Sequence, residues 1–573
     1  MKRSHVLISL IVIVFAMLAI LVVSNQMGFF NDIADYNVNL EELTNELTID
    51  NSNWSYDEEN NIYYQLGIVY CTNPETTDYE SMAIYVPGDY FKSNENSNGT
   101  YTCSVVNSNV GNYSATTAPI VMAINTPGYS AHASPTVYNP EEVKEFTDAG
   151  LVYVDAGCRG RENGGSYSGG APWGVTDLKA AVLYLKFNGD TLPGDSEKIF
   201  SFGHSGGGAQ SAVLGVSGDS KLYIPYLQSI GAPIVDRNGN KLSDRIYGSM
   251  CWCPVTSLDT ADEAYEWTMG QYSSDGTRGN GTWTNVLSDD LALAYATYIN
   301  DLHLKGPDGQ TLSLNESDEG IYASGTYYDY MLSVADDSLN NFLKDTTFPY
   351  SSSSGVYQNP QEYIDSLNGD EEWITYNRSS NTAEITSIEA FVKHCKYPSK
   401  DVGAFDDLGR GQPENDLFGN DEMDSLHFDS IMANALNENS DKYSNYSDYD
   451  YYKAHNYASD LTKLDKVGYT IENRSNMYNP MYYLCDYYPE DHSHIAKYWR
   501  INSGIEQSDT SFTVEANLAL ALESCGSVDS VEFNEVWGQG HTQAERKGSP
   551  NSNFINWVNR CMDDNSDFFS FLF

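Results

Sequence analysis

One short turn constrains this chain more than any other feature. Gly203-His204-Ser205-Gly206-Gly207 follows the strand-like run Ile199–Phe202, and small residues from Gly206 onward predict a helix. It is the only strict G-x-S-x-G in the 573 residues. A serine on so sharp a strand-to-helix turn sits on strained backbone, so the positions two places either side must be small. Gly203 and Gly207 meet that demand. The Ser205 hydroxyl would then stand above the end of a sheet at a helix N-terminus, where the helix dipole and free N–H groups favour an oxyanion. The bland alternative is an ordinary glycine-rich turn, and the surrounding chain has to decide between them.

That chain alternates strands and helices. Strand-like runs occupy Ile62–Cys71, Ser81–Val86, Pro119–Ile124, Leu151–Ala156 and Lys198–Gly203, with helix-like stretches at Pro140–Asp148 and Gly174–Phe187. The alternation predicts an α/β fold of the α/β-hydrolase kind, a mostly parallel sheet with helices on both faces. After about residue 260 the pattern changes to a Tyr-, Asn-, Ser- and Asp-rich region with helical pieces. It resumes with a strand at Tyr498–Ser503, a helix at Phe512–Leu522, a strand at Val531–Trp537 and a last helix near Asn553–Met562. The expected organisation is an N-terminal segment 1–27, an acidic tether 28–60, a first core part 61–260, a large lid insertion 261–485 and a second core part 486–573.

A serine nucleophile on this fold needs a base late in the chain, and the order Ser…acid…His is the expected one. Of ten histidines, only His541 lies beyond the last strand, in the flexible loop Gly538-Gln539-Gly540. Asp509 and Glu506 are the carboxylates after Tyr498–Ser503. Asp509 is the candidate to accept the Nδ1 proton of His541, with helix N-capping as its rival role. The oxyanion donors expected are the amide of Gly206 and one from the loop Thr126-Pro127-Gly128-Tyr129, either Gly128 or Tyr129.

Composition sets the surroundings. With 31 Lys plus Arg against 80 Asp plus Glu, the formal charge is -49. Such a surface repels nucleic acid and anionic headgroups, so neither is an expected partner. Lys2 and Arg3 precede an apolar run from Val6 to Val23, long enough to span a membrane as a helix. No small-x-small cleavage site or lipobox cysteine follows, so an uncleaved anchor is favoured over a removed signal peptide. Either way an extracytoplasmic protein is expected, touching the membrane only through that segment. The nine cysteines show no CxxC pair and no metal-ligand spacing; no metal and no cofactor is expected.

Several blocks carry a family resemblance. Val154-Asp155-Ala156-Gly157-Cys158-Arg159-Gly160-Arg161, Asp177-Leu178-Lys179-Ala180-Ala181, Pro193-Gly194-Asp195, the Gly203–Gly207 turn, Phe405-Asp406, Glu414-Asn415-Asp416-Leu417-Phe418-Gly419, Trp499-Arg500 and Asp509-Thr510-Ser511 occur in that order. Together they resemble bacterial tannases of subtype B and related feruloyl-esterase-like proteins over most of residues 60–560. The resemblance implies an α/β-hydrolase core with a large lid, and metal-free hydrolysis of galloyl esters by a Ser–Asp–His triad. It also implies that Lys400 and Glu414 recognise the gallate hydroxyls together with an aspartate near the triad acid. The family carries two aspartates there, separated by one residue; the first is the triad acid and the second faces substrate. Here Gln507 stands at the first position and Asp509 at the second. Either Asp509 has taken over His541, or the site runs as a weakened dyad.

The leading expectation is an extracytoplasmic serine carboxylesterase acting on a small-molecule ester, with phenolic esters the class that the resemblance implies. Two alternatives stand beside it. One is a serine exopeptidase on the same fold. The other is a surface binding protein with a degraded hydrolase site, which Gln507 favours and the intact Ser205 and His541 oppose.

Overall fold

The computed structural model describes residues 39–162, 169–317 and 320–570. The apolar run Val6–Val23, and with it the proposed anchor, lies outside them. Among the described residues no helix is long and apolar enough to cross a membrane.

Nine strands form one sheet: β1 (Ser55–Asp57), β2 (Ile62–Val69), β3 (Ser81–Pro87), β4 (Pro119–Ile124), β5 (Val152–Ala156), β6 (Asp195–His204), β7 (Gly248–Trp252), β8 (Tyr498–Gly504) and β9 (Ser530–Val536). Their order across the sheet is β1-β2-β3-β5-β4-β6-β7-β8-β9. Pairings from β1 to β2, β2 to β3 and β3 to β5 are antiparallel. Every pairing from β5 onward is parallel. Every residue of β4, β5, β7 and β8 is buried, which is why these strands read as near-continuous apolar runs rather than alternating ones.

Helices cover both faces. α1 (Leu40–Leu47), α2 (Pro140–Asp148), α3 (Trp173–Phe187) and α4 (Gly206–Val216) belong to the first half of the chain. All residues of α3 and α4 are buried. α4 can lie so close because its residues are small: a Cβ on Gly215 would sit 2.5 Å from the Trp499 ring. Part of the segment expected to be a tether is folded. Asn39 caps α1 by accepting from the Glu42 amide, and Leu43, Leu47, Ile49 and Trp54 are buried in the main core. Strand β7 was not anticipated, because Gly248 and Ser249 interrupt its apolar run. Gly248 is there for packing, since a Cβ would lie 2.6 Å from the Phe200 ring on β6.

Between β7 and β8 the chain makes a long excursion, residues 253–497. It is mostly helical, with three two-stranded ribbons. α5 (Ala261–Thr268), α6 (Trp283–Leu302) and α7 (Thr326–Asp345) are its first helices. The excursion has a small core of its own around Trp283, Leu287, Leu291, Met432, Leu436 and Tyr443. It also packs back on the sheet, α7 against β9 and α5 against the buried helix α8 (Phe512–Ser524).

Candidate active site

A parallel sheet delivers the loops after its strands to one edge, and ligands bind at that edge. Here four such loops converge: the turn after β6 with Ser205, the turn after β4 with Gly128 and Tyr129, the loop after β8 with Gln507 and Asp509, and the loop after β9 with His541.

The turn after β6 is a strained elbow. Ser205 has φ 60° and ψ -123°, a backbone conformation that a non-glycine residue adopts only under constraint. The constraint is steric. A Cβ on Gly203 would meet the Gly207 carbonyl at 2.4 Å, and one on Gly207 would meet Ile124 O at 2.2 Å. The Ser205 amide donates to Trp252 O at 3.0 Å, tying the elbow to β7.

The β4 turn lies against it, since a Cβ on Gly206 would be 2.4 Å from Thr126 O and 2.6 Å from Tyr129 N. Tyr129 N–H donates to Thr126 O at 3.0 Å. That amide is therefore occupied within the turn, which leaves the Gly128 amide as the other expected donor. The buried Tyr129 hydroxyl donates to Val255 O and holds the turn.

His541 meets Ser205 as expected from the chain order: Nε2 and Ser205 Oγ are 2.8 Å apart. Its loop is anchored behind it. Glu545 receives both guanidinium arms of Arg500, at 2.7 and 2.6 Å, and the Trp252 indole N–H at 2.9 Å. Asn502 donates to Ala544 O. This explains the Trp499-Arg500 block, whose members pack on α4 and hold the histidine loop.

The acid is placed differently from expectation. Nδ1 of His541 lies 2.6 Å from Gln507 Oε1, whereas the nearer Asp509 oxygen is 3.8 Å away. The contact expected of Asp509 is thus made by Gln507. Gln507 sits in the buried floor of the loop, while the Asp509 side chain is 49% exposed. Asp509 still acts on His541 through space. Burial lowers the imidazole pKa, Asp509 raises it, and Lys400 and Lys396 lower it; the net result is below the ordinary 6.5. His541 is therefore neutral at pH 7, as a base must be. Glu506 does not face the imidazole and accepts from the Gly538 amide at 3.1 Å.

Lys400 and Glu414 reach the same place from the excursion. The Lys400 ammonium lies over the Phe405 ring, 4.0 Å from its centroid, and Tyr265 and Arg278 pin the backbone of its loop. Glu414 is buried, and its Oε2 has no hydrogen-bond partner among the described residues. Burial pushes its pKa up, Lys400 and Arg161 oppose that, and Asp509 adds to it. Lys400, Glu414, Asp509 and His541 therefore share one electrostatic neighbourhood. The other blocks of the resemblance are structural. Arg159 is buried in a bidentate pair with Asp177, and Asp406 accepts from His427, Asn415 and the amides of Phe428 and Asp429.

Among the described residues, His204, Cys253 and His541 bring possible metal ligands within 4.8 Å of one another. Both nitrogens of His541 are engaged by Ser205 and Gln507, so a metal there would have to break one of those two contacts. Burial, with His541 nearby, lowers the His204 pKa to about 4, and His204 stays neutral beside the base. Sequence reasoning missed three supports: the Gln507 contact itself, the Glu545 anchor, and the buried residues Lys396 and Glu515 behind Gln507. The only available sequence signal was an unusual density of carboxylates on otherwise apolar α8 and β9.

No family model and no curated protein sequence matches this chain. Solved structures do. Fusobacterium nucleatum tannase is 28% identical, with a TM-score of 0.65 over 87% of this chain and 95% of that one. Lactobacillus plantarum tannin acyl hydrolase is 24% identical, with a TM-score of 0.67 over 91% of this chain and 100% of that one. A tannin acyl hydrolase in complex with ethyl gallate is also 24% identical, at 0.65 over 90% and 99%. The Lactobacillus likeness speaks for the α/β fold, and the Fusobacterium likeness, over most of both chains, carries the enzyme class as well. On these findings the chain is a tannase-like carboxylic ester hydrolase.

Proposed function

We propose that the protein hydrolyses esters of hydroxylated aromatic acids, galloyl esters among them, outside the cytoplasmic membrane, with Ser205 as nucleophile and His541 as base. The observation that carries the reading is the 2.8 Å contact between Ser205 Oγ and His541 Nε2 on a strained elbow. Ser205 Oγ attacks the ester carbonyl carbon while its proton passes to His541 Nε2. The amides of Gly206 and Gly128 receive the oxyanion. Collapse breaks the bond to the alcohol, which leaves with the proton from His541. Water, deprotonated by the same imidazole, then releases the acid from Ser205.

The ring would be held by groups suited to phenols. Phenolic hydroxyls donate to Glu414 and Asp509 and accept from Lys400, and Glu414 Oε2 is a buried acceptor without a partner. In this reading Asp509 is a substrate contact rather than the acid of a Ser-His-Asp triad, and residues 253–497 act as the lid that brings Lys400 and Glu414 over Ser205. The solved relatives, a tannin acyl hydrolase in complex with ethyl gallate among them, support the substrate class. The location rests on the Lys2-Arg3 pair and the apolar run Val6–Val23.

A panel of benzoate esters tests the substrate class. kcat/KM should rise by about tenfold or more from unsubstituted to trihydroxylated rings, and Glu414→Gln should flatten that gradient. A gradient that is absent, or that favours alkyl acyl groups, would refute the phenolic assignment and leave the esterase.

A further inference from the structure

Gln507 raises a problem that its neighbours solve. A carboxamide can turn either its oxygen or its NH2 toward Nδ1 of His541. With the NH2 inward it would donate to Nδ1, the imidazole proton would sit on Nε2, and His541 could not accept the serine proton. Only the oxygen-inward orientation leaves a lone pair facing Ser205.

The buried surroundings choose that orientation. Gln507 Nε2 donates to Ser503 Oγ at 2.7 Å and to Glu515 Oε1 at 2.9 Å. Ser503 and Thr510 hydroxyls also donate to the same Glu515 oxygen, at 3.0 and 3.3 Å. Glu515 is fully buried on α8. An ionised carboxylate only accepts, so it must face the NH2 end of Gln507, and the oxygen end must then face His541. We infer that Glu515 is a positioning residue for His541, setting the imidazole tautomer through the Gln507 amide and placing the site's negative charge one residue behind its usual position.

Lys396 makes this arrangement tenable. Its buried ammonium donates to the carbonyls of Ile505 and Gln507, fixing the loop. Burial raises the Glu515 pKa, while Lys396 is the leading influence that lowers it. Glu535 on β9 is a second buried carboxylate beside the pair; burial and Glu515 push its pKa well above the ordinary carboxylate value, and Lys396 opposes them. The titratable groups facing His541 directly are Asp509, Lys400, Lys396 and His204; Glu515 reaches it only through the Gln507 amide.

This inference rests on Ser205 and His541 acting as proposed above, and isosteric variants separate the two. Each is measured for kcat/KM on a phenolic ester across pH, for fluorophosphonate labelling rate, and for melting temperature. Glu515→Gln should lower kcat/KM about tenfold to a thousandfold, short of the loss from a wrong tautomer in a direct triad. Its KM should change little, and the acidic limb should move to lower pH because the imidazolium loses its distant carboxylate. Gln507→Glu alone should also lose activity, since it sets two carboxylates side by side. The charge swap Gln507→Glu with Glu515→Gln should recover most of both losses. If Ser205→Ala is inactive but Glu515→Gln keeps wild-type kcat/KM and acidic limb, the positioning role is overturned while the esterase reading stands. Losses that simply add in the swap, or an activity loss that tracks melting temperature alone with no pH shift, would overturn it equally. If Ser205→Ala is active, the esterase reading itself fails.

Discussion

Ser205, His541 and Gln507 form a line of contacts in which each residue decides what the next can do. The strained turn at Ser205 can close because Gly203 and Gly207 carry no Cβ where the backbone packs on itself and on Ile124. His541 is held neutral mainly by burial. Activity needs the neutral imidazole, and a pKa below 6.5 means that kcat/KM should persist as pH falls through 6.5 and be lost only at lower pH. Asp509 is the charge that raises this pKa, so Asp509→Asn should move the acidic limb further down while weakening binding of hydroxylated esters. A pH series of kcat/KM for both proteins checks it; a limb that moves up would refute the assigned direction. At this scale the meeting of Ser205 and His541 was legible because steric demand and chain order act locally on named residues. The partner of Nδ1 was not legible. Gln507 and Asp509 are two residues apart, and only the side to which the loop turns separates the buried floor from the exposed rim.

At the scale of elements, the buried parallel strands were readable because burial on both faces leaves a continuous apolar run, as in Pro119–Ile124. Strand β7 escaped because its packing needs glycine against Phe200, and glycine carries no apolar signal. α1 escaped for another reason. It is short, acidic on its outer face, and its buried side chains are Leu43 and Leu47, four residues apart on one side. That pairing carries a prediction. Leu47 is 1% exposed, so Leu47→Ala should cost about 2–5 kcal/mol in denaturant unfolding. No change in the unfolding midpoint would mean that this segment is a tether after all. Glu545 shows how an element serves the site from behind. Its pairing with Arg500 joins β8 to the loop of His541, so the histidine is placed by a strand it does not follow.

For the molecule as a whole, a formal charge of -49 is expected to repel nucleic acid and anionic surfaces. The long excursion between β7 and β8 gives a single sheet two sources of site residues: the strand ends supply Ser205, Gln507 and His541, and the excursion supplies Lys396, Lys400 and Glu414. Cell fractionation tests the proposed location. The folded part should be recovered outside the cytoplasmic membrane, and full-length protein in the cytosol would refute export.

The central claim is that Ser205 is the nucleophile of an ester hydrolase. Its most direct measurement is hydrolysis of a phenolic ester by the wild-type protein and by Ser205→Ala, with fluorophosphonate labelling followed by intact mass. The wild type should turn over the ester and gain a single adduct at Ser205. Ser205→Ala should keep its fold, take no adduct, and lose about 10³-fold or more in kcat. Wild-type turnover by the variant, or an adduct on another residue, would contradict the account.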